Sequence, residues 1–268
     1  MCREYRTVST ILKVYDIEAG CTCPILVKLD NECRAVLKYP RNPQGLIVLL
    51  NEYVTGQLAH LIGLTSPDFG IAVVDENTTS GPDFPLDINR NRFSGVGFYS
   101  LYIPKTVPAS LRALKYATNL GETARIILLD QIVKNCDRHE GNLLLTTDSS
   151  PMIFAIDHSH AFGDPEWTIG DLSLNDIESP YVWRENLPVY NMLICAGASV
   201  TPAQLEIERN YIQAHITEDA LNHIFATIPP EWINDVGAEN ISHLHQYILN
   251  RVQNLEAICN MINQERGV

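Results

Sequence analysis

Short apolar runs separated by turn residues fill the first forty positions of the chain. Three of them, VSTILKVYDI, PILVKL and RAVLKYP, are rich in β-branched residues, which favours strands. The segment DNE at 30–32 lies between the last two runs and predicts a hairpin turn. In the third run, alternation places Leu37 on one face and Val36 with Lys38 on the other. The amino-terminal part of the chain is therefore predicted to be mainly β-sheet.

Helical periodicity first appears over 45–63, where apolar residues recur three and four positions apart and Gly63 ends the pattern. The run FGIAVVDE that follows predicts another strand. Thr, Ser, Gly, Pro, Asp and Asn dominate the stretch 77–92, which predicts a surface loop between two lobes.

The chain beyond this loop is predicted to be mainly helical. Helices are expected at 108–119, at 121–135, from 201 onward and at 241–266. Two short strands, LLLTT and MIFAI, flank a turn at 148–151. Strands with one helix, followed by helices around a small hairpin, predict a two-lobed α+β protein.

Composition and charge narrow the class of protein. A chain of 268 residues that is 46% hydrophobic can bury a substantial core. Its 19 Lys and Arg against 32 Asp and Glu give a net charge of −13, which disfavours contact with nucleic acid or anionic membranes. No apolar stretch approaches the roughly 18 residues of a membrane span. Since the seven cysteines are scattered and odd in number, we expect a reducing, cytoplasmic location.

Acidic and amide side chains cluster between the end of a predicted helix and two predicted strands. Asp137 and Asn142 are five positions apart, and Asp157 ends the strand MIFAI. Phosphoryl transfer needs one carboxylate to orient an attacking hydroxyl, and oxygen ligands to hold Mg²⁺. This segment therefore predicts the catalytic and metal-binding groups of a phosphotransferase.

The amino-terminal strands offer the complementary groups. Lys38 lies inside a predicted strand, where its ammonium group could face a nucleotide cleft, and Glu52 lies in the following helix. Such a strand-to-helix pair holds the ammonium against the α- and β-phosphates of ATP. Gly20 and Thr22, between the first two strands, would let backbone N–H groups approach phosphate. An ordinary loop is the alternative for Thr22.

These segments resemble the HipA-like kinases, in particular their short variants. The resemblance runs through VLKYP, LLNEYVTGQLAHLIGL, NCDRHEGNLLL and IDHSHAF, and spans most of 25–162. It implies a bilobal protein-kinase-like fold, with a small β-rich N-lobe over 1–101 and a mostly helical C-lobe over 102–268. It also implies an ATP-dependent serine/threonine kinase that acts on a protein substrate, with an antitoxin-like partner.

Position by position, the resemblance assigns roles to the same residues. It implies that Lys38 contacts the ATP phosphates and that Glu52 steadies it. It further implies that Asp137 is the catalytic aspartate and that Asn142 and Asp157 bind Mg²⁺.

The motif Asp-Arg-His-x-x-Asn also resembles the catalytic loop of phosphoinositide kinases, and this resemblance implies a catalytic role for His139 at the γ-phosphate. The chain has no G-x-G-x-x-G, H-R-D or D-F-G sequence, so it differs from ordinary eukaryotic-type kinases. Its last hundred residues carry no motif that identifies the phosphate acceptor.

Three alternatives stay open at this point. The Asp-Arg-His-x-x-Asn motif also fits a small-molecule or lipid-type kinase. Cys136, His139, His158 and His160 offer four ligands that suit Zn²⁺, and hence a metallohydrolase or a structural zinc site. A nucleotide-binding or partner-binding module without catalysis is the third.

Overall fold

The structure is a computed structural model, and it describes residues 5–15, 22–163 and 165–268. Gly20, one of the two predicted phosphate-loop residues, lies outside the described residues.

A six-stranded sheet forms the amino-terminal part. Its strands are β1 (Arg6–Val14), β2 (Ile25–Leu29), β3 (Arg34–Lys38), β4 (Phe69–Val74), β5 (Thr79–Ser80) and β6 (Gly95–Leu101). The strand order is β2-β3-β6-β4-β1-β5, and β1 also pairs with β2, so the sheet closes on itself. Alternate side chains of these strands pack into one apolar cluster inside the sheet.

The hairpin predicted around residues 30–32 is confirmed. Strands β2 and β3 pair antiparallel, with Ile25 opposite Leu37. The alternation predicted for β3 also holds: Leu37 is fully buried inside the closed sheet, whereas Val36 and Lys38 line a cleft on its other side. The local pattern was sufficient here because each face of the strand meets a different environment.

The stretch 77–92 does not separate two lobes, and this prediction is wrong. It connects β4 to β6, which pair antiparallel within one sheet, and it contains β5 and a 3₁₀ turn at Arg90–Phe93. The sequence analysis did not predict β6, whose glycines interrupt the apolar alternation. Gly97 is needed there, because a Cβ atom would lie 2.6 Å from the carbonyl oxygen of Lys38.

Helices make up most of the remainder. They are α1 (Ile47–Leu61), α2 (Leu111–Leu114), α3 (Thr123–Ile132), α4 (Tyr181–Glu185), α5 (Leu187–Cys195), α6 (Pro202–His215), α7 (Glu218–Ala226), α8 (Pro230–Val236), α9 (Ala238–Gln253) and α10 (Leu255–Arg266). A second sheet has the order β7 (Thr106–Pro108), β8 (Leu143–Thr146) and β9 (Ile153–Ala155). The predicted α+β class, β-rich and then helical, is confirmed.

Two predicted helices differ from the structure. The helix expected over 108–119 is reduced to the single turn of α2, which Ser110 caps by accepting a bond from the amide of Ala113. The helix expected over 241–266 is two helices that break at Asn254, whose side chain donates to the carbonyl of Asn250. A side chain that bonds to its own backbone in this way competes with helix continuation.

One apolar core extends from α1 through α3, β8 and β9 to the carboxy-terminal helices. Helix α1 belongs to the amino-terminal half of the sequence but is buried on most of its surface by this core. The boundary predicted between residues 101 and 102 falls at the end of β6. In the described parts of the chain, no helix has the length and apolarity of a membrane span.

Candidate active site

A cleft lies between the six-stranded sheet and the smaller sheet. Its cavity has a volume of about 240 Å³. Apolar side chains from both sheets and from the segment after β6 form much of its lining: Val36, Phe69, Phe98, Ile103, Leu144 and Ile156. Lys38, Glu52 and Asp157 add three charged groups to this lining. A mostly apolar cleft with a few convergent polar groups is typical of sites for small molecules and cofactors.

Lys38 joins the two sides of the cleft. Its Nζ atom contacts the carboxylate of Glu52 on α1 and donates a 2.8 Å bond to Oδ1 of Asp157, just beyond β9. Burial lowers the pKa of Lys38, but the charges of Asp157 and Glu52 outweigh this and hold the pKa above its ordinary value. The lysine therefore stays positively charged in the site. The structure thus brings Asp157, which the sequence nominated separately, to the predicted pair of Lys38 and Glu52.

The backbone and the neighbours of Asp157 fix its carboxylate. Burial acts to raise the pKa of Asp157, yet the charge of Lys38 and hydrogen bonds from Lys38 and Ser159 hold it well below its usual range. Ser159 Oγ donates to Asp157 Oδ1 over 2.6 Å. The residue has a φ of 53°, a conformation that costs energy for a side chain other than glycine and is concentrated at functional sites. Because 37% of its side chain is exposed, the carboxylate can take a further ligand.

Glu52 is the third charged group, and its surroundings oppose ionisation. Burial raises the pKa of Glu52 to about 7, against the opposing effect of Lys38. The carboxyl group of Glu52 therefore titrates near neutral pH, whereas Asp157 remains ionised.

We expect the wild-type protein to lose stability relative to a Glu52→Gln variant as the pH rises from about 5 to about 8. Between the unfolded-state pKa of a glutamate, about 4.3, and the folded value of about 7, the folded protein holds one more proton than the unfolded chain. The free energy of unfolding therefore falls as the pH rises through this window, and a glutamine cannot contribute to that slope.

Urea denaturation at a series of pH values measures this difference. A Glu231→Gln variant is the matched control, because Glu231 is exposed on α8 and its replacement should follow the wild type. If the free energies of unfolding of the wild type and Glu52→Gln differ by the same amount at every pH in this window, the raised pKa of Glu52 is contradicted.

Asp137 and Asn142 lie on the loop between α3 and β8. Asn142 is buried, and its Nδ2 donates a 2.8 Å bond to the backbone oxygen of Asp137, which leaves Oδ1 as the atom able to bind a cation. The backbone carbonyl of Asn142 accepts a bond from the amide of Ile156, next to Asp157. Asn142 and Asp157 thus supply neighbouring hard oxygen ligands, which fit Mg²⁺.

Sequence reasoning missed the role of Arg138, which follows Asp137. Its buried guanidinium makes two bonds to Asp130 on α3, of 3.1 and 2.8 Å. It also donates to the carbonyls of Asn142 and Ile156 at 3.1 and 3.0 Å. The buried guanidinium of Arg138 therefore connects the loop between α3 and β8 to the strand end that precedes Asp157. The sequence feature that could have revealed this role is Asp130, an aspartate within the apolar pattern of α3.

Asn51 is a second residue that the sequence analysis missed. It is fully buried on α1, and its Nδ2 donates to the carbonyls of Ser159 and Ala161 at 2.8 and 3.0 Å. Its Oδ1 accepts a 2.8 Å bond from Trp167 Nε1. Asn51 therefore holds the segment after Asp157 against the helix that carries Glu52. The sequence feature that could have revealed this role is the position of Asn51 itself, a polar residue inside the apolar run LLNEYV.

The predicted zinc alternative is wrong. Burial raises the pKa of the Cys136 thiol to about 11, and its Sγ donates to the backbone carbonyl of Lys134 over 3.6 Å. His158 Nδ1 lies 3.3 Å from Arg138 Nη2, and burial, with the charge of Arg138, holds the pKa of His158 well below its usual range. Within residues 5–15, 22–163 and 165–268, no group of three or more His, Cys, Asp or Glu side chains could hold a metal ion.

The structure places the remaining nominated residues away from these contacts. His139 is exposed, and its Nδ1 accepts a 3.0 Å bond from the amide of Gly141, so its ring caps a short turn. Thr22 is buried two residues before Pro24, which lines the cleft. Roles for His139 at the γ-phosphate and for Thr22 at the phosphates stay predictions.

Comparison with known proteins gives the following matches. A family model described as HipA-like kinase matches residues 8–174. The Helicobacter pylori proinflammatory kinase CtkA has a similar structure, with a TM-score of 0.53 and 12% identity over 91% of this chain and 95% of that chain. The Golgi casein kinase gives a TM-score of 0.52 and 13% identity over 98% of this chain and 74% of that chain. No curated protein matches the chain. At these identities, the two solved structures show a shared fold.

Proposed function

Because the chain belongs to the HipA-like kinase family, it is a kinase-type phosphotransferase, and we propose that it transfers the γ-phosphate of ATP to a serine or threonine hydroxyl of a protein, with Mg²⁺. The observation that carries the proposal is the contact of Lys38 with both Glu52 and Asp157 across the cleft. The contact puts the positive charge of Lys38 beside Asp157, one of the two residues proposed to hold the cation, and this arrangement supports binding of a nucleoside triphosphate.

In the proposed reaction, each group acts through charge or position. Lys38 binds the α- and β-phosphates, and Glu52 holds its ammonium group in place. Asn142 and Asp157 would hold Mg²⁺, which supplies neutralisation of the charge on the phosphates. Asp137 accepts a hydrogen bond from the acceptor hydroxyl and orients it for in-line attack. The new bond from the acceptor oxygen to phosphorus forms as the bond to ADP breaks, and the hydroxyl proton passes to Asp137.

A protein acceptor is favoured over a lipid by the net charge of −13, since anionic membrane surfaces repel an acidic protein. The antitoxin-like partner and the cytoplasmic location belong to the same proposal and rest on the family alone.

Incubation with γ-labelled ATP and Mg²⁺, alone and with a cell lysate, tests the proposal. We expect label in the protein fraction, and none when the Asp137→Asn variant replaces the wild type. Label in a lipid extract or in small molecules would show that the proposed acceptor class is wrong. If the wild type transfers no phosphate, the proposed activity itself is wrong.

We expect Asp157→Asn to weaken Mg·ATP binding by at least about tenfold, because the neutral amide is a poorer Mg²⁺ ligand than a carboxylate. The effect of Asp157→Asn on the thermal stability of the nucleotide-free protein should be much smaller than its effect on Mg·ATP affinity. Titration with a fluorescent ATP analogue, with and without Mg²⁺, measures the binding. Asp148→Asn, in the exposed turn between β8 and β9, is the control and should bind like the wild type. Normal Mg·ATP binding by Asp157→Asn would count against the metal assignment.

A further inference from the structure

His160 bridges two parts of the site that are far apart in the sequence. Its Nε2 lies 3.1 Å from Nε2 of Gln44, in the loop between β3 and α1. Its Nδ1 lies 3.8 Å from Oδ2 of Asp137, in the loop between α3 and β8. One imidazole ring therefore connects the loop that follows Lys38 to the catalytic loop.

The contact with Gln44 determines which ring nitrogen carries the proton. The amide nitrogen of Gln44 can only donate, so Nε2 of a neutral His160 accepts. The ring proton then lies on Nδ1, on the side that faces the carboxylate of Asp137. A movement of less than about 1 Å would turn this 3.8 Å contact into a charge-assisted hydrogen bond.

The loop that carries Gln44 is held by its own hydrogen bonds. Asn42 is buried, accepts a 2.9 Å bond from the amide of Gln44, and donates to the carbonyls of Tyr39 and Gly45 at 2.8 and 2.6 Å. Within the described part of the chain, Oε1 of Gln44 is buried without a hydrogen-bond partner. The contact with His160 is thus what fixes the orientation of the Gln44 amide.

Asp137 has few other constraints on its side chain. The side chain is 43% exposed, and among the described residues no hydrogen bond holds its carboxylate. A catalytic carboxylate must nevertheless point at the acceptor hydroxyl, since misplacement by about 1 Å can cost about 100-fold in rate. His160 is the neighbouring donor that can set this orientation.

We propose that His160, held by Gln44, is a positioning residue that orients the carboxylate of Asp137 toward the acceptor hydroxyl. This inference rests on the proposed kinase function and identifies residues that support its catalytic aspartate. It also makes the productive orientation of Asp137 depend on the loop that follows Lys38, so that the two sides of the cleft act together.

Two conservative variants separate the two contacts of His160. The amide nitrogen of an asparagine can take the place of Nδ1 and still donate to Asp137. A glutamine places its amide group near the position of Nε2, where its oxygen accepts from Gln44, and it leaves no donor in the place of Nδ1. We expect His160→Gln to lower kcat about 10- to 100-fold, with the KM for ATP within about twofold of wild type. His160→Asn should keep kcat within about fivefold. Both are measured as total transfer of label from γ-labelled ATP to protein and to water.

A double variant and a surface control complete the test. Gln44→Ala should lower kcat less than His160→Gln does, and the double variant should be no slower than His160→Gln alone, since Gln44 acts on Asp137 only through His160. His223→Ala, on the exposed side of α7, should match the wild type. Equal loss in His160→Asn and His160→Gln, or a full kcat in His160→Gln, would overturn the positioning role.

The Asp137→Asn variant in the same assay distinguishes this failure from that of the proposed function. If Asp137→Asn is inactive while His160→Gln is fully active, only the positioning role is wrong. If Asp137→Asn turns over like the wild type, Asp137 is not the catalytic aspartate and the role of His160 is wrong with it, although phosphate transfer itself stands. If the wild type transfers no phosphate, the proposed function is wrong.

Discussion

Asp137→Asn should lower phosphate transfer by about 1000-fold while Mg·ATP binding stays within about twofold of wild type. Asparagine has the shape of aspartate, but its amide cannot take the proton of the attacking hydroxyl. Since 43% of the Asp137 side chain is exposed and its carboxylate makes no hydrogen bond to the described residues, the substitution should leave the fold intact. The loss should therefore appear in kcat and not in nucleotide affinity or thermal unfolding.

Rates with γ-labelled ATP and binding of a fluorescent ATP analogue measure the two quantities on the same preparation. Glu140→Gln is the matched control, because Glu140 is an exposed acid on the same loop. It should retain the wild-type rate. An Asp137→Asn variant with more than a tenth of the wild-type rate would remove Asp137 from the mechanism.

Arg138→Met should destabilise the protein by about 3–5 kcal/mol, because it leaves the buried carboxylate of Asp130 without its cation. Both side chains of this pair are fully buried. The remaining partners of Asp130, Tyr190 and Asn135, donate neutral hydrogen bonds of 3.0 and 2.9 Å and cannot compensate the charge. The loop between α3 and β8 should also lose its attachment to the strand end before Asp157.

Urea denaturation measures this loss. Arg184→Met is the control, because Arg184 makes an equally short pair with Glu265 at the surface, where water screens the charges. Its stability should stay close to wild type. Adding Asp130→Asn to Arg138→Met should recover part of the lost stability, since the unpaired buried charge is then absent. A loss below about 1 kcal/mol in Arg138→Met would contradict a structural role for this pair.

Local pattern accounts for the elements that the sequence predicted well. Strands β2 and β3 have a short turn and a clear alternation, and α1 follows as a continuous apolar helix. Each of these depends on neighbours within a few positions, which is the range over which periodicity carries information. Strand β6 was missed because its environment is set by pairing with β3 and β4, and both partners are distant in the sequence.

The candidate site divides in a similar way. The residue types on the loop between α3 and β8 and after β9 indicated phosphoryl transfer, because oxygen ligands and a lysine are what that chemistry requires. The same segment also offered cysteine and histidine ligands for zinc. Sequence alone could not choose between the two metals, since the choice depends on whether the zinc candidates converge in space, and among the described residues no group of three or more His, Cys, Asp or Glu does so.

The sequence by itself determined which chemical groups this protein has and which short elements carry them, because both are local properties. Only the tertiary structure decided which groups meet. The bond between Lys38 and Asp157 spans 119 positions, and the contact between Gln44 and His160 spans 116. Contacts at such separations form only when distant segments of the chain pack against each other, so no pattern within a single segment can specify them.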